Sequence, residues 1–235
     1  MLSNYQIQNL ARQNQTTELN VLREYWQHVF LNHFYQQTGS ENVFFKGGTA
    51  LRIVYNSPRF SEDLDFSSTV VKPRWIESML EDTLLAMERE NLRVEIGEAK
   101  ITSGGYLARI IIGTNVIELE ISLRRGKKTG EPVTVITDLA VPYTIMALEK
   151  SQLVAEKVQA LLTREKARDY YDLYFMLRSN LLDIKEKKNL PLVLEKLKQS
   201  KVVFDKELKV FLPRSHWAII NDFKKVLEGE MERYV

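Results

Sequence analysis

The sequence predicts an α/β protein: a small mixed sheet flanked by helices, followed by an α-helical C-terminal lobe. Three observations carry this reading. Val43–Phe45 is a short apolar, aromatic-rich run, and the glycine pair Gly47-Gly48 separates it from a helically spaced segment, Thr49 to Tyr55. Three further strand candidates, Leu92–Ile96, Tyr106–Ile112 and Val116–Leu123, have Gly104-Gly105 and Gly113-Thr114-Asn115 as turns, so the last two read as an antiparallel hairpin. From Tyr143 the apolar spacing turns helical, which places an α/β lobe at 1–140 and a helical lobe at 141–235.

The flanking elements follow in order. Residues Met1 to Gln15 are polar and rich in Gln and Asn, an arm with at most a short helix. Thr17 suits the N-cap of a helix whose apolar stripe is Leu22, Trp26, Val29, Phe30 and Phe34. His28 and His33 lie on or beside that stripe, and with no ligand spaced to join them they read as packing at the edge of the core. Pro73 suits the first turn of a second helix, with Trp75, Ile76, Met79, Leu80, Leu84 and Met87 on one face up to about Glu90. Val133–Ile136 reads as one more edge strand. Beyond it, Leu153, Val154, Val158, Leu161 and Leu162 form a helical stripe, extended back to Leu148, and residues near 190–197 and 218–227 suggest two later helices.

Composition bounds the chemistry. A chain of 235 residues can bury a substantial core, and a net charge of +2 neither demands nor excludes a nucleic-acid partner. The absence of cysteine removes disulfides, thiolate metal sites and cysteine nucleophiles together. There is no apolar run of about eighteen residues to span a membrane. The start has no basic region ahead of an apolar one, as a secretory signal requires. A cytoplasmic protein without a membrane partner is expected.

The chemistry concentrates between Val43 and Ser67. A glycine pair between strand and helix lets backbone N–H groups approach a phosphate without a Cβ in the way, and the helix N-terminus adds partial positive charge. Asp63 and Asp65 alternate with Leu64 and Phe66, so on a strand both carboxylates face one way. Such a pair repels itself unless a cation intervenes, and hard oxygen ligands suit Mg²⁺ carrying substrate phosphates.

Phosphate cradle, short helix and a strand with Asp-x-Asp, in that order, resemble the nucleotidyltransferase superfamily that includes DNA polymerase β. Within it, Lys46-Gly-Gly-Thr-Ala-Leu51 followed by Ser61-x-Asp-Leu-Asp-Phe66 is similar to the AbiEii/AbiGii toxin family, with Gly48-Thr49 where the superfamily usually has Gly-Ser. The resemblance implies a third carboxylate on a neighbouring strand. Glu118, Glu120 and Ser122 share one face of the third strand; Glu120 is the choice and Glu118 the second, which otherwise reads as a solvated residue. Ala155-Glu-Lys-Val-Gln-Ala160 with Lys166-Ala-Arg-Asp-Tyr-Tyr-Asp-Leu173 is similar to the family's second block, which implies Lys157 and Asp169, with Asp172 as rival or structural partner. On spacing alone, Arg168, Asp169 and Asp172 equally describe an ion-pair network on a helix face.

The expectation is therefore a nucleotidyltransferase. Asp63, Asp65 and Glu120 would hold Mg²⁺; Gly47, Gly48 and Thr49 would position the phosphates of an NTP, with Lys46 or Ser61 nearby. Lys157 would neutralise charge developing on phosphate, and the helical lobe would contribute to the active site through Lys157, Asp169 and Asp172. The resemblance also implies the toxin of a bacterial toxin–antitoxin or abortive-infection pair, a separately encoded antitoxin, and RNA (a tRNA 3′ end) as acceptor. The basic stretch Arg124 to Lys128 and the lysine-rich segment after Asn180 offer surfaces for RNA, though each also reads as solvated charge. A small-molecule or protein nucleotidylyltransferase, or a non-catalytic nucleotide-binding module, are the alternatives.

Overall fold

The computed structural model describes residues 1–234 and resolves them into two compact units. One comprises residues 1–13, 17–56 and 60–149; the other comprises 14–16, 57–59 and the chain from Lys150 onward. Among the described residues no helix is long and apolar enough to cross a membrane.

The first unit carries helices α1 (Asn4–Gln13), α2 (Glu18–Phe34), α3 (Gly47–Tyr55) and α4 (Pro73–Arg89). Its strands are β1 (Val43–Lys46), β2 (Leu64–Ser68), β3 (Val94–Thr102), β4 (Gly105–Ile112), β5 (Asn115–Ser122), β6 (Gly130–Val135) and β7 (Tyr143–Leu148). They form one mixed sheet in the order β3-β4-β5-β2-β1-β7-β6. β2 runs parallel to β5 and antiparallel to β1, while β1 runs parallel to β7. Thr17 caps α2, its side chain accepting from the Asn20 amide, and Pro73 opens α4, as the sequence predicts.

Register explains how the sheet separates core from chemistry. Phe45, Phe66, Ile121 and Tyr106 are cross-strand partners and all are buried. The Phe66 ring packs 5.2 Å from Phe34 of α2 and 5.5 Å from Phe45. One residue along each strand, the row is Lys46, Asp65, Glu120, Leu107 and Lys100. Because side chains alternate across a strand, this row, charged except for Leu107, projects from the opposite face.

Three expectations need correction. The N-terminal arm is a ten-residue helix, α1, whose Ile7 and Ala11 pack with Val21 of α2 into a small apolar cluster. Two apolar residues a turn apart suffice once α2 supplies the partner face. Tyr143–Leu148 is a strand, so the helical part begins at Lys150 rather than at 141. Tyr143, Ile145 and Ala147 are buried with a period of two, and the pairing of Ala147 with Phe45 is a long-range contact that local spacing does not carry. Strand β3 continues to Thr102 through a register shift between Ile96 and Glu98, where the sequence reading stopped at Ile96.

The second unit is helical: α5 (Lys150–Thr163), α6 (Ala167–Arg178), α7 (Ile184–Lys187), α8 (Leu190–Gln199), α9 (Phe204–Phe211), α10 (Trp217–Ile220) and α11 (Phe223–Glu232). Its core gathers the buried stripes of α5, α6, α8 and α11. Phe223 is an aromatic hub, 5.8 Å from Tyr171 and 5.1 Å from Phe204.

Candidate active site

The turn from β1 into α3 is built for glycine at its first position. Gly47 has φ +82°, and a Cβ there would stand 2.0 Å from Oδ2 of Asp65. Any side chain would displace the carboxylate, so glycine is required both by backbone conformation and by the close approach of Asp65. Lys46, in register with Asp65, precedes it as the N-cap residue of α3. Gly48 and Thr49 complete the first turn, and both are buried.

Asp63 stands just ahead of β2 and Asp65 on it, both half-buried, while Leu64 and Phe66 are fully buried on the core side. The segment before the strand is held carbonyl by carbonyl. The side-chain amide of Gln27, buried on α2, donates 3.0 Å hydrogen bonds to the carbonyls of Ser61 and Glu62. The hydroxyl of Thr49 donates to the carbonyl of Asp63. Thr49 therefore ties the glycine turn to the Asp-bearing segment, and Ser61 lies in that segment, its carbonyl accepting from Gln27. Arg23 pairs with Glu62 at 2.7 Å on the outer side.

Glu120 is the cross-strand partner of Asp65 in the parallel β2–β5 pair. Asp63, Asp65 and Glu120 line one cavity of about 260 Å³, together with Glu98, Lys100, Leu107, Arg109 and Glu118. Glu118 is taken by Arg109 at 2.9 Å, an exposed pair that accounts for its charge without chemistry. No group of three or more His, Asp or Glu side chains among the described residues closes into a metal cage. An open set of carboxylates is nonetheless the arrangement Mg²⁺ takes when substrate phosphates and water complete its shell. The hard oxygens of Asp63 and Asp65, on a face whose glycine leaves room beside them, fit that ion.

The other candidates lie in the helical unit. Asp172 is 1% exposed and accepts bidentate hydrogen bonds from Arg59 at 2.8 and 3.0 Å and a third from the Lys157 ammonium at 2.7 Å. Burial alone would raise its carboxyl, but Arg59 and then Lys157 outweigh it and hold Asp172 below the ordinary carboxylate range. Asp169 is also buried and is gripped by Arg164 at 2.8 and 3.0 Å. Lys157 and Asp172 are thus brought together, while Asp169 belongs to a separate pair. The histidines are packing residues: His28 bonds Tyr143 Oη at 2.7 Å, and burial with the nearby Arg52 charge lowers it to about 4.

Sequence reasoning missed Gln27 and Arg59. A polar residue inside the apolar stripe of α2 was a usable signal for the first. For Arg59 there was none, since its partner lies 113 positions away.

Comparison with known proteins places these features. The family profile described as "Nucleotidyl transferase AbiEii toxin, Type IV TA system" matches residues 29–232. No curated protein matches the chain. Among solved structures, the fold is similar to that of MenT4, a nucleotidyltransferase toxin from Mycobacterium tuberculosis, with a TM-score of 0.63 and 19% identity over 100% of this chain and 93% of that one. It is also similar to a putative nucleotidyltransferase from H. pylori, with a TM-score of 0.55 and 18% identity over 93% of this chain and 99% of the other. JHP933 from Helicobacter pylori gives 0.56 and 17%, over 93% and 95%. With the profile spanning most of the sequence and a glycine turn set against strand carboxylates, the chain belongs to the AbiEii nucleotidyltransferase toxin family of type IV toxin–antitoxin systems.

Proposed function

We propose that this toxin transfers a nucleoside monophosphate from an NTP to an RNA acceptor, with a tRNA 3′ end the first candidate. Family membership brings the NTP substrate and an antitoxin partner. The acceptor hydroxyl oxygen would bond to the α-phosphorus, the bond from that phosphorus to the bridging oxygen would break, and pyrophosphate would leave. The observation that carries the reading is the placement of Asp65: opposite Glu120 on the neighbouring strand and against Gly47 at the N-terminus of α3.

In this reading Asp63, Asp65 and Glu120 hold Mg²⁺, which when bound neutralises and orients the nucleotide phosphates. Amides at Gly47 and Gly48 face the phosphates, Thr49 fixes their turn, and Lys46 and Ser61 flank it. Glu120 either completes a second metal site or takes the proton of the acceptor hydroxyl. Lys157 offsets negative charge on the transferring or leaving phosphate, with Asp172 holding its ammonium in place, and Asp169 supports the same helix through Arg164.

RNA is favoured over a small acceptor by the exposed cations Arg124, Arg125 and Lys127 in the loop between β5 and β6. Lys128 does not add to them, because its ammonium turns inward to the carbonyls of Ser68 and Arg124. The test is incubation with each labelled NTP, Mg²⁺ and total RNA at low and moderate salt. Label on RNA from a preferred NTP, falling with salt by about 0.7 log units of affinity per log unit for each phosphate contact, supports the reading. Label on protein or a metabolite, with none on RNA, overturns the acceptor and leaves nucleotidyl transfer standing.

A further inference from the structure

We propose that the terminal nucleoside of the acceptor binds on the outer strands of the sheet, its base against Leu107 and its first backbone phosphate on Lys100. This rests on the RNA reading above and adds to it a direction of entry and two residues.

The cross-sheet row Lys46–Asp65–Glu120–Leu107–Lys100 gives the direction. The glycine turn that would cradle the nucleotide phosphates lies at the Lys46 end. The carboxylate that would take the acceptor's proton lies on the other side of Asp65. An acceptor hydroxyl flanked by both must therefore arrive from the Leu107 and Lys100 side. Lys100 is two strand spacings from Glu120, about 10 Å between backbones, which leaves room for one nucleoside between the base and the cation.

Lys100 points into this cavity because of a local irregularity. Strand β3 carries a bulge at Gly97: Ile96 pairs with Ile110 and Glu98 with Arg109, so Gly97 is the extra residue. Without it the alternation would send Glu98 and Lys100 to the opposite face of the sheet; with it they share the face of Leu107 and Glu120. A Cβ at Gly97 would meet Ile111 Cδ1 at 2.6 Å, so the bulge is packed closely on β4. Leu107 is half-buried and stands between Lys100 and Glu120 on their shared face; the other apolar residues that line the cavity, Ala108 and Leu119, are buried. A base has an apolar face that such a residue covers.

Charge sets how much of the acceptor enters. The cavity is lined by five carboxylates, Asp63, Asp65, Glu98, Glu118 and Glu120, against the cations Lys100 and Arg109. Arg109 is already bound to Glu118. A polyanion lying along this surface would be repelled, whereas an uncharged terminal nucleoside with a single phosphate at Lys100 is accommodated. The acceptor is thus taken end-on, and its chain leads away past β3.

The test compares the full-length protein with Lys100→Glu, Leu107→Ala and Leu107→Phe. KM for the acceptor RNA and its salt dependence are measured beside NTP binding by calorimetry in Mg²⁺. Lys100→Glu is expected to raise acceptor KM about tenfold and to reduce the salt slope by about 0.7, the value of one phosphate contact on a single strand. Leu107→Ala is expected to raise acceptor KM severalfold and Leu107→Phe to restore it, with NTP affinity within about twofold of wild type throughout. If wild type labels RNA and the variants match its acceptor KM, the outer-strand subsite is wrong while the RNA reading survives. If NTP affinity moves in step with acceptor KM, these residues belong to the nucleotide cradle and the proposal falls. If wild type labels no RNA, the underlying reading fails and takes the subsite with it.

Discussion

Two pairs of aspartates carry the same sequence logic and opposite physical states. Asp63 and Asp65 lie at the start of a strand, half-buried and facing a cavity shared with Glu120. Asp169 and Asp172 lie on one helix, are buried, and are each gripped by a bidentate arginine. A carboxylate in the second state is enclosed by protein and its charge is compensated there; one in the first lines an open cavity that a cation can enter. In the mechanism proposed above, the contrast sets the residues that would meet substrate apart from those that would hold architecture, with Asp172 positioning Lys157.

The sharpest way to break this contrast is to neutralise each pair and read activity and stability separately. Asp63→Asn with Asp65→Asn is expected to lower nucleotide transfer by about a thousandfold or more while the melting temperature stays near wild type. Calorimetric binding of Mg²⁺ with NTP should disappear in the same variant. Equal binding by wild type and variant would remove these carboxylates from the metal site.

Asp172→Ala should do the reverse in kind. It leaves Arg59 and Lys157 without their counter-charge, and Arg59 is only 2% exposed. Breaking a buried pair from one side costs about 3–5 kcal/mol, on the order of 10 °C in melting temperature for a chain of this size. Replacing Arg59 and Asp172 together by apolar residues should recover part of that loss. A variant with wild-type stability and lost activity would move Asp172 from architecture to chemistry.

Acid titration sharpens the comparison further. In the sheet unit, His28 titrates near 4 when folded, below its ordinary value of about 6.5. As pH falls through that window the unfolded chain takes up a proton that the folded chain refuses, so stability declines, by up to about 3 kcal/mol, and levels off below 4. Asp172, held below its ordinary range, contributes its full stabilisation above about pH 4 and loses it only as pH falls through its folded value. Denaturant melts of wild type should show decline in both windows. His28→Gln should flatten the upper one alone.

How much of this was legible depends on the distance over which each feature is specified. Gly47, Asp63 and Asp65 stand within nineteen positions of one another, and a strand alternation plus a glycine pair suffices to read them. Glu120 was readable as one face of a hairpin strand; its standing opposite Asp65 was not, since a parallel pairing is fixed by the whole sheet. Strand β7 read as helix for the same reason. The bulge at Gly97, which turns Lys100 around, changes a face by one residue and leaves no periodic trace. Arg59 sits in a Ser-Pro-Arg turn whose role depends on a helix far along the chain.

The smallest expected effect concerns how the sheet's aspartates are held. The backbone ahead of them is fixed by Gln27, which gives one hydrogen bond to each of two successive carbonyls. Gln27→Met keeps the volume and removes both donors, leaving two partly buried carbonyls without this partner at a cost of about 1 kcal/mol. Gln27→Glu is expected to be worse, since a carboxylate would face the same carbonyls with no proton to give. If the clamp serves the aspartates, the Mg²⁺ concentration for half-maximal transfer should rise severalfold in Gln27→Met, and saturating Mg²⁺ should recover most of kcat. If Gln27 only packs α2 against the loop, the melting temperature will fall and the Mg²⁺ dependence will stay where it was. The outcome decides whether backbone clamping in one unit does the work that paired arginines do in the other.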